Sequence, residues 1–319
     1  MNRPILDTEG LIQSLSIDVA LPSGFRSSDV LAFHRRDAQQ VAERVGDYDL
    51  QKGLTWHGKP ACLSIRFELG FAYARLAVNA ADASLSTDAH ADFERLVKRM
   101  LGLTQTIEAF ESAFGRHPQL GPLIGRQPGL RVPLAATPFE ALVWAVAGQQ
   151  ISVTAALALR RRMIQAVGLV HADSGLHCHP DAAALAALDD AVLRAAGFSQ
   201  AKTRTVLGLA RAVVDNDLPL GDWARLAGTP ELPVEDIRAR LAQLFGVGPW
   251  TIDYALLRGF GWLDGSLHGD VAVRRNLQQV LGAEQPVSER EARDWLAEFA
   301  PWRALVAAHL WALKAPAGN

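Results

Sequence analysis

The chain has 319 residues, 49% of them hydrophobic and 21% charged, an ordinary composition for a folded protein with a sizeable core and room for two domains. Its formal net charge of −2 offers no bulk attraction to nucleic acid, so any such binding depends on where the 32 Lys and Arg lie. Two cysteines in unrelated contexts, Cys62 and Cys178, exclude a disulfide framework, a four-cysteine zinc site and a cysteine-ligated iron–sulfur cluster, and no run nears the roughly 18 apolar residues of a membrane span.

Met1-Asn2-Arg3-Pro4 lacks the apolar run of a secretory leader, so the expected compartment is the cytoplasm. Between Leu11 and Ala80, four β-rich stretches, Ile17–Leu21, Leu50–Trp56, Ala61–Glu68 and Phe71–Val78, surround a predicted helix over Ser28–Val45. Phe93 to Phe114 has helical spacing. Pro118–Pro122 and Gln127–Pro133 are rich in Pro and Gly and read as an irregular connector.

Beyond it the pattern is helical. Thr137-Pro138-Phe139-Glu140 predicts a capping box with proline at the first helical position, and Gly148 ends that helix. Further helices are predicted over Ser152–Val167, Asp181–Leu188, Ala191–Ala196, Ser199–Val214, Val234–Leu244, Thr251–Phe260, Val271–Leu281, Ser288–Phe299 and Pro301–Leu313; Ser288 with Glu291 forms a second capping box. The expected fold class is α+β: a small N-terminal antiparallel β-sheet domain with a helix, residues 1–120, then a mostly α-helical domain, residues 121–319.

Phe245-Gly246-Val247-Gly248-Pro249-Trp250 lies between two of these helices, with Thr251 as the expected cap of the second. Its glycines permit a very tight reversal, and backbone N–H groups at the start of the following helix suit a phosphate oxygen. An ordinary turn between packed helices has the same pattern. Asp270, after Gly269 at a predicted helix start, reads on pattern alone as an N-cap.

Four elements in order, Gly148-Gln149-Gln150-Ile151-Ser152, Gly197-Phe198-Ser199-Gln200-Ala201-Lys202, Leu241 to Thr251, and Leu267-His268-Gly269-Asp270, resemble the helix–hairpin–helix (HhH-GPD) DNA glycosylase superfamily. The β-rich N-terminal region and Pro128–Pro133 extend the resemblance to the bacterial 3-methyladenine DNA glycosylase II type. The resemblance implies a monofunctional glycosylase of base excision repair that flips an alkylated purine and hydrolyses its N-glycosidic bond. Asp270 would be its catalytic carboxylate, stabilising positive charge on the sugar and orienting water. Trp250 and Tyr254, one helical turn apart, would line the base pocket, with Trp302 as a third candidate. Gln150, with Gln149 beside it, would fill the gap left by the flipped base. Gly246, Val247, Gly248 and Thr251 would hold the DNA backbone, aided by Lys202 and Arg274 from among the basic runs Arg160-Arg161-Arg162, Lys202 with Arg204, and Arg274-Arg275. Each run also reads as a solvated helix face, and each aromatic as a core residue.

Trp250 stands where strand-cutting members carry a lysine, which implies that no Schiff base forms. The implied partner is double-stranded DNA with a damaged base, bound by a monomer away from any membrane. No metal or other cofactor is expected, apart from a monovalent cation that the family would hold at the hairpin carbonyls. Pro249, Asp253 and Gly269 depart from the family's usual residues, and an exposed Asp253 would repel phosphate. Two other readings are a helix–hairpin–helix DNA-binding protein that has lost catalysis and a glycosylase for another lesion.

Overall fold

The computed structural model describes residues 12–79 and 88–313, so the reading of Met1–Pro4 lies outside the described residues. Five strands, β1 (Ile12–Ala20), β2 (Glu43–Val45), β3 (Asp49–Trp56), β4 (Lys59–Glu68) and β5 (Phe71–Asn79), form an antiparallel sheet in the order β1-β5-β4-β3-β2. Along β5, Phe71, Tyr73 and Arg75 are exposed while Ala72, Ala74 and Leu76 are buried. That two-residue alternation is what a sheet with one covered face requires. The cover is α1 (Ser27–His34) and α2 (Ala89–Met100), which insert Leu31, Phe93, Val97 and Met100 among Leu50, Leu63, Ile65 and Leu76.

The helix predicted over Ser28–Val45 stops at His34. The Asp37 carboxylate accepts a hydrogen bond from the Gln39 N–H, a local turn that competes with helix, and Glu43–Val45 pair with β3 instead. The helix predicted over Phe93–Phe114 is likewise two, α2 and α3 (Ile107–Phe114), broken where Gly102 adopts a φ of +69°. Inside the expected connector, α4 (Gly121–Arg126) forms with Pro122 in its first turn.

The remaining helices are α5 (Pro138–Gly148), α6 (Val153–Val167), α7 (Ala182–Ala186), α8 (Asp190–Ala195), α9 (Gln200–Val214), α10 (Leu220–Arg225, not anticipated), α11 (Val234–Ala242), α12 (Pro249–Ala255), α13 (Val271–Leu281), α14 (Glu289–Ala297) and α15 (Arg303–Trp311). Helix α12 runs on into one π-helical turn, Leu256–Phe260. Side chains of α5 are buried on nearly every side, as its continuous apolar run demands.

Two apolar cores meet along α12. One gathers α5, α6 and α9 with Val247, Ile252 and Leu256; the other gathers α3, α4 and α13 to α15 with Tyr254 and Leu257. The hairpin therefore hangs from one helical layer and the Asp270 turn from the other, and α12 joins them.

A buried ionic cluster fastens the sheet to the helices. Lys52 of β3 donates to Glu43 of β2 and to Glu140 of α5, both at 2.7 Å, and Arg160 of α6 donates to Glu43 at 2.7 and 2.9 Å and to Glu140 at 2.9 Å. Arg160 and Lys52 hold both carboxylates well below the usual range despite burial. The cluster also corrects the first capping box. Thr137 accepts from the Glu140 N–H, but the Glu140 carboxylate turns inward to the cluster, whereas Ser288 and Glu291 make the full reciprocal pair.

Candidate functional site

Asp270 is the N-cap of α13, and its Oδ1 accepts from the N–H groups of Ala272 at 2.9 Å and Val273 at 3.0 Å. Two indoles complete its shell. Trp311 Nε1 donates to Oδ1 and Trp250 Nε1 to Oδ2, each at 3.1 Å. Both readings of this residue therefore coexist: it caps a helix, and it is a half-buried carboxylate fixed by four donors. Oδ1 takes three of them and Oδ2 one, so Oδ2 keeps the capacity for a further partner.

Aromatic rings are layered beside this carboxylate. Trp250 and Tyr254 lie 5.2 Å apart at an interplanar angle of 31°, and Tyr254 lies 6.2 Å from Trp311. The i, i+4 spacing on α12 brings the first pair together. Trp311 comes from α15, 41 residues beyond Asp270, and sequence reasoning missed it. Its only trace there is an indole near the end of an apolar helix, which has no fixed relation to Asp270 until α13 and α15 pack. Trp302 does not join this group. It packs 6.1 Å from Phe110 and 6.0 Å from Phe114, in the core formed by α3 and the last helices.

Two guanidinium groups lie over aromatic faces, one of them that of Trp311. Arg258, from the π-helical turn, has its Cζ 5.5 Å from the Trp311 centroid and donates to the Pro133 carbonyl at 2.7 Å; burial pulls it down to about 10, which leaves it charged at neutral pH. Arg36 covers Phe33 at 4.2 Å and Trp144 at 4.8 Å. Trp144 is half-buried and packs against the core that holds Tyr254.

The hairpin is built by a close approach. Gly246 has a φ of +76°, and a Cβ there would stand 2.2 Å from Thr205 Oγ1 on α9. Gly248 has open space around it, and a Cβ at that position would meet no heavy atom within 4 Å. Val247 turns into the core. Helix α12 starts at Pro249 with Gly248 as its cap, so Thr251 sits within the first turn, buried, and not at the cap as expected. The N–H groups of Gly248, Trp250 and Thr251 belong to the first-turn donors that a helix leaves unpaired.

Gln149 and Gln150 part company. The Gln149 amide donates to the Gly246 carbonyl at 2.9 Å and to Thr251 Oγ1 at 3.0 Å, tying the end of α5 to the hairpin. Gln150 is exposed, at a φ of +58°, on the tip between α5 and α6. Of the basic residues, Lys202 donates to the Ala147 carbonyl at 2.7 Å and so closes the last turn of α5. Arg274 lies 3.9 Å from Glu289. Arg160 is in the buried cluster, Arg161 pairs with Asp37 and Arg162 donates to the Ala196 carbonyl. The concern over Asp253 is removed by its burial and its ion pair with Arg238.

Residues 143–301 match the family model described as HhH-GPD superfamily base excision DNA repair protein, and residues 17–137 that of the AlkA N-terminal domain. The chain is 32% identical over 220 residues to the "Probable bifunctional transcriptional activator/DNA repair enzyme AlkA" of Mycobacterium tuberculosis (strain H37Rv), a match covering 67% of this chain and 41% of that protein. It is 31% identical over 193 residues to DNA-3-methyladenine glycosylase 2 of Escherichia coli (strain K12), covering 60% of this chain and 63% of that one. The matches thus span less than two thirds of the length of these relatives. Among solved structures, the 3-methyladenine DNA-glycosylase from Archaeoglobus fulgidus superposes with a TM-score of 0.75 at 18% identity, over 92% of this chain and 97% of that one, which shows a shared fold. Among the described residues no helix is long and apolar enough to cross a membrane.

Proposed function

The chain belongs to the HhH-GPD superfamily of base excision DNA repair proteins, and from that premise we propose that it is a monofunctional DNA glycosylase acting on alkylated purines of the 3-methyladenine kind. The observation that carries this reading is the Asp270 carboxylate, fixed by four donors beside a layered set of aromatic rings. As a base leaves, positive charge develops on the deoxyribose, and a preset carboxylate stabilises it. Oδ2, with one donor, is the oxygen that faces the sugar. Trp250, Tyr254 and Trp311 stack on the flipped base, and their faces attract a purine made cationic by alkylation.

Gln150 occupies the gap in the duplex, and the first-turn N–H groups of α12 take a backbone phosphate. With Trp250 in place of a lysine, excision stops at base removal. The substrate is double-stranded DNA carrying a damaged base, handled by a monomer in the cytoplasm. A monovalent cation at the hairpin is compatible with this reading, since the Gly246 carbonyl accepts one hydrogen bond, from Gln149, and keeps a second lone pair.

One observation favours a second reading of the lesion. The Arg258 cation 5.5 Å from Trp311 opposes a positively charged base and favours a neutral one such as hypoxanthine. Measuring free base released from methylated and from hypoxanthine-containing duplexes separates the two. On the preferred duplex, Asp270→Asn should slow release by about 10²–10³-fold while lesion binding persists. Borohydride should trap no covalent adduct, and a lysine-dependent adduct would overturn the monofunctional reading. Tight lesion binding without release by the wild type would instead make the chain a binding protein.

A further inference from the structure

Arg204 differs from every other cation near the hairpin. Lys202, Arg162 and Arg238 each end on a carbonyl or carboxylate, and Arg274 faces Glu289. Among the described residues, Arg204 makes no hydrogen bond or ion pair, and its single specific contact is with an aromatic face: its Cζ lies 4.1 Å above the centre of the Phe245 ring. Phe245 is itself anomalous, a large apolar side chain left 48% exposed immediately before Gly246. The two residues are held together by the fold. Thr205, next to Arg204 on α9, is the residue against which Gly246 packs without room for a Cβ, so the first turns of α9 and the hairpin cannot drift apart.

A guanidinium held over a ring face spends none of its five N–H donors on a hydrogen bond, so they stay available to an outside acceptor. A planar cation with its donors free, beside unpaired helix N–H groups, suits a phosphate that needs both a charge and several donors. We propose that Arg204, held over the exposed Phe245 ring, is a phosphate-binding cation that flanks the hairpin and extends its backbone-donor site. Phe245 is then a positioning residue, exposed because its face serves Arg204 and not the core. The inference rests on the hairpin being a DNA-backbone site. It adds a charged contact from α9 to a site that Lys202, occupied at Ala147, does not supply.

The salt dependence of duplex binding tests it, because each phosphate neutralised by a cation contributes about 0.9 to the slope of log K against log salt. Binding of the full chain to an undamaged duplex is measured by fluorescence anisotropy at several salt concentrations. Arg204→Ala should lower the slope by about one and weaken binding about tenfold whatever the DNA sequence. Arg204→Lys should keep the slope and lose part of the affinity, since an ammonium neither stacks as a plane nor forks. Phe245→Ala should also keep the slope, the charge being intact, and weaken binding severalfold.

Both side chains are exposed, so each variant should melt with the wild type, and the comparison reads binding alone. An Arg204→Ala slope equal to that of the wild type overturns the phosphate contact, and Phe245→Ala affinity equal to the wild type overturns the platform. A wild type that binds no duplex overturns the hairpin reading and this inference with it. A wild type that binds duplex but releases no base overturns the enzyme reading alone.

Discussion

A Cβ on Gly246 would meet the Thr205 hydroxyl oxygen at 2.2 Å, while one on Gly248 would meet nothing within 4 Å. The first glycine is therefore required by the protein's own packing, and the second is not. Gly246→Ala should destabilise the fold by about 2–4 kcal/mol, combining left-handed backbone strain with overpacking against α9. Thr205→Ala, which removes the offending oxygen, should restore part of that loss. Gly248→Ala should melt close to the wild type yet bind duplex more weakly. Thermal melts and duplex titrations of the three proteins check this, and a Gly248→Ala protein with unchanged affinity would remove Gly248 from the proposed backbone-binding site. Residue by residue, the candidate site was legible where its members are neighbours on one element: Asp270 at its helix start, and Trp250 with Tyr254 four residues on. It was illegible where packing decides. Trp311 reaches Asp270 only because α15 lies along α13, and Gln149 and Lys202 are spent on backbone carbonyls that only the folded chain brings near them.

Elements are joined across the molecule by charges. Lys52, Glu43, Glu140 and Arg160 come from two strands and two helices and sum to zero, so removing one member leaves an uncompensated charge in a dry junction. Lys52→Met should cost about 3–5 kcal/mol, because Glu43 and Glu140 are then left sharing Arg160. Adding Glu140→Gln restores neutrality, so the double variant should be more stable than the single one, the reverse of additive behaviour. Denaturant titration of the two proteins decides it, and a double variant less stable than Lys52→Met would show that the packing of Glu140 outweighs its charge. The same cluster marks the limit of reading elements from sequence. Strand alternation and helix periodicity located β3 to β5 and most helices after α5, since burying one face sets the pattern locally. Glu140 read as a capping-box partner, but its carboxylate answers to Lys52, 88 residues away. Likewise, the helix drawn through Val45 had no means of showing that Glu43 pairs across a sheet.

At the scale of the whole molecule, buried neutral histidines sit both at the sheet–helix junction and in the last helix. His179 lies at the junction of sheet and helices near Glu140, and His309 lies in α15 against Phe110. Burial pulls both imidazoles down to about 4, and neither His179 Nε2 nor His309 Nδ1 has a hydrogen-bond partner among the described residues. An unfolded imidazole titrates near 6.5, so between about pH 6.5 and 4 the unfolded chain binds protons that the folded chain refuses. Stability is therefore complete above pH 6.5 and falls as the solution is acidified, by roughly 2 kcal/mol for each histidine by pH 5. The depressed carboxylates Glu43 and Glu140 act in the same direction but at lower pH, below the unfolded carboxylate range, so they do not shape this window. Unfolding free energies from denaturant titrations at pH 7.5 and pH 5 should thus differ by several kcal/mol. His309→Leu, which replaces an imidazole lacking a partner by an apolar side chain among apolar neighbours, should lose less stability over the same interval. An equal loss in the variant and the wild type would mean that His309 is not among the groups that acid recruits. Because one histidine supports the sheet junction and the other the layer that carries Trp311, acid should weaken the fold and the Asp270 shell together, and the base release proposed for the chain should decline within the same interval.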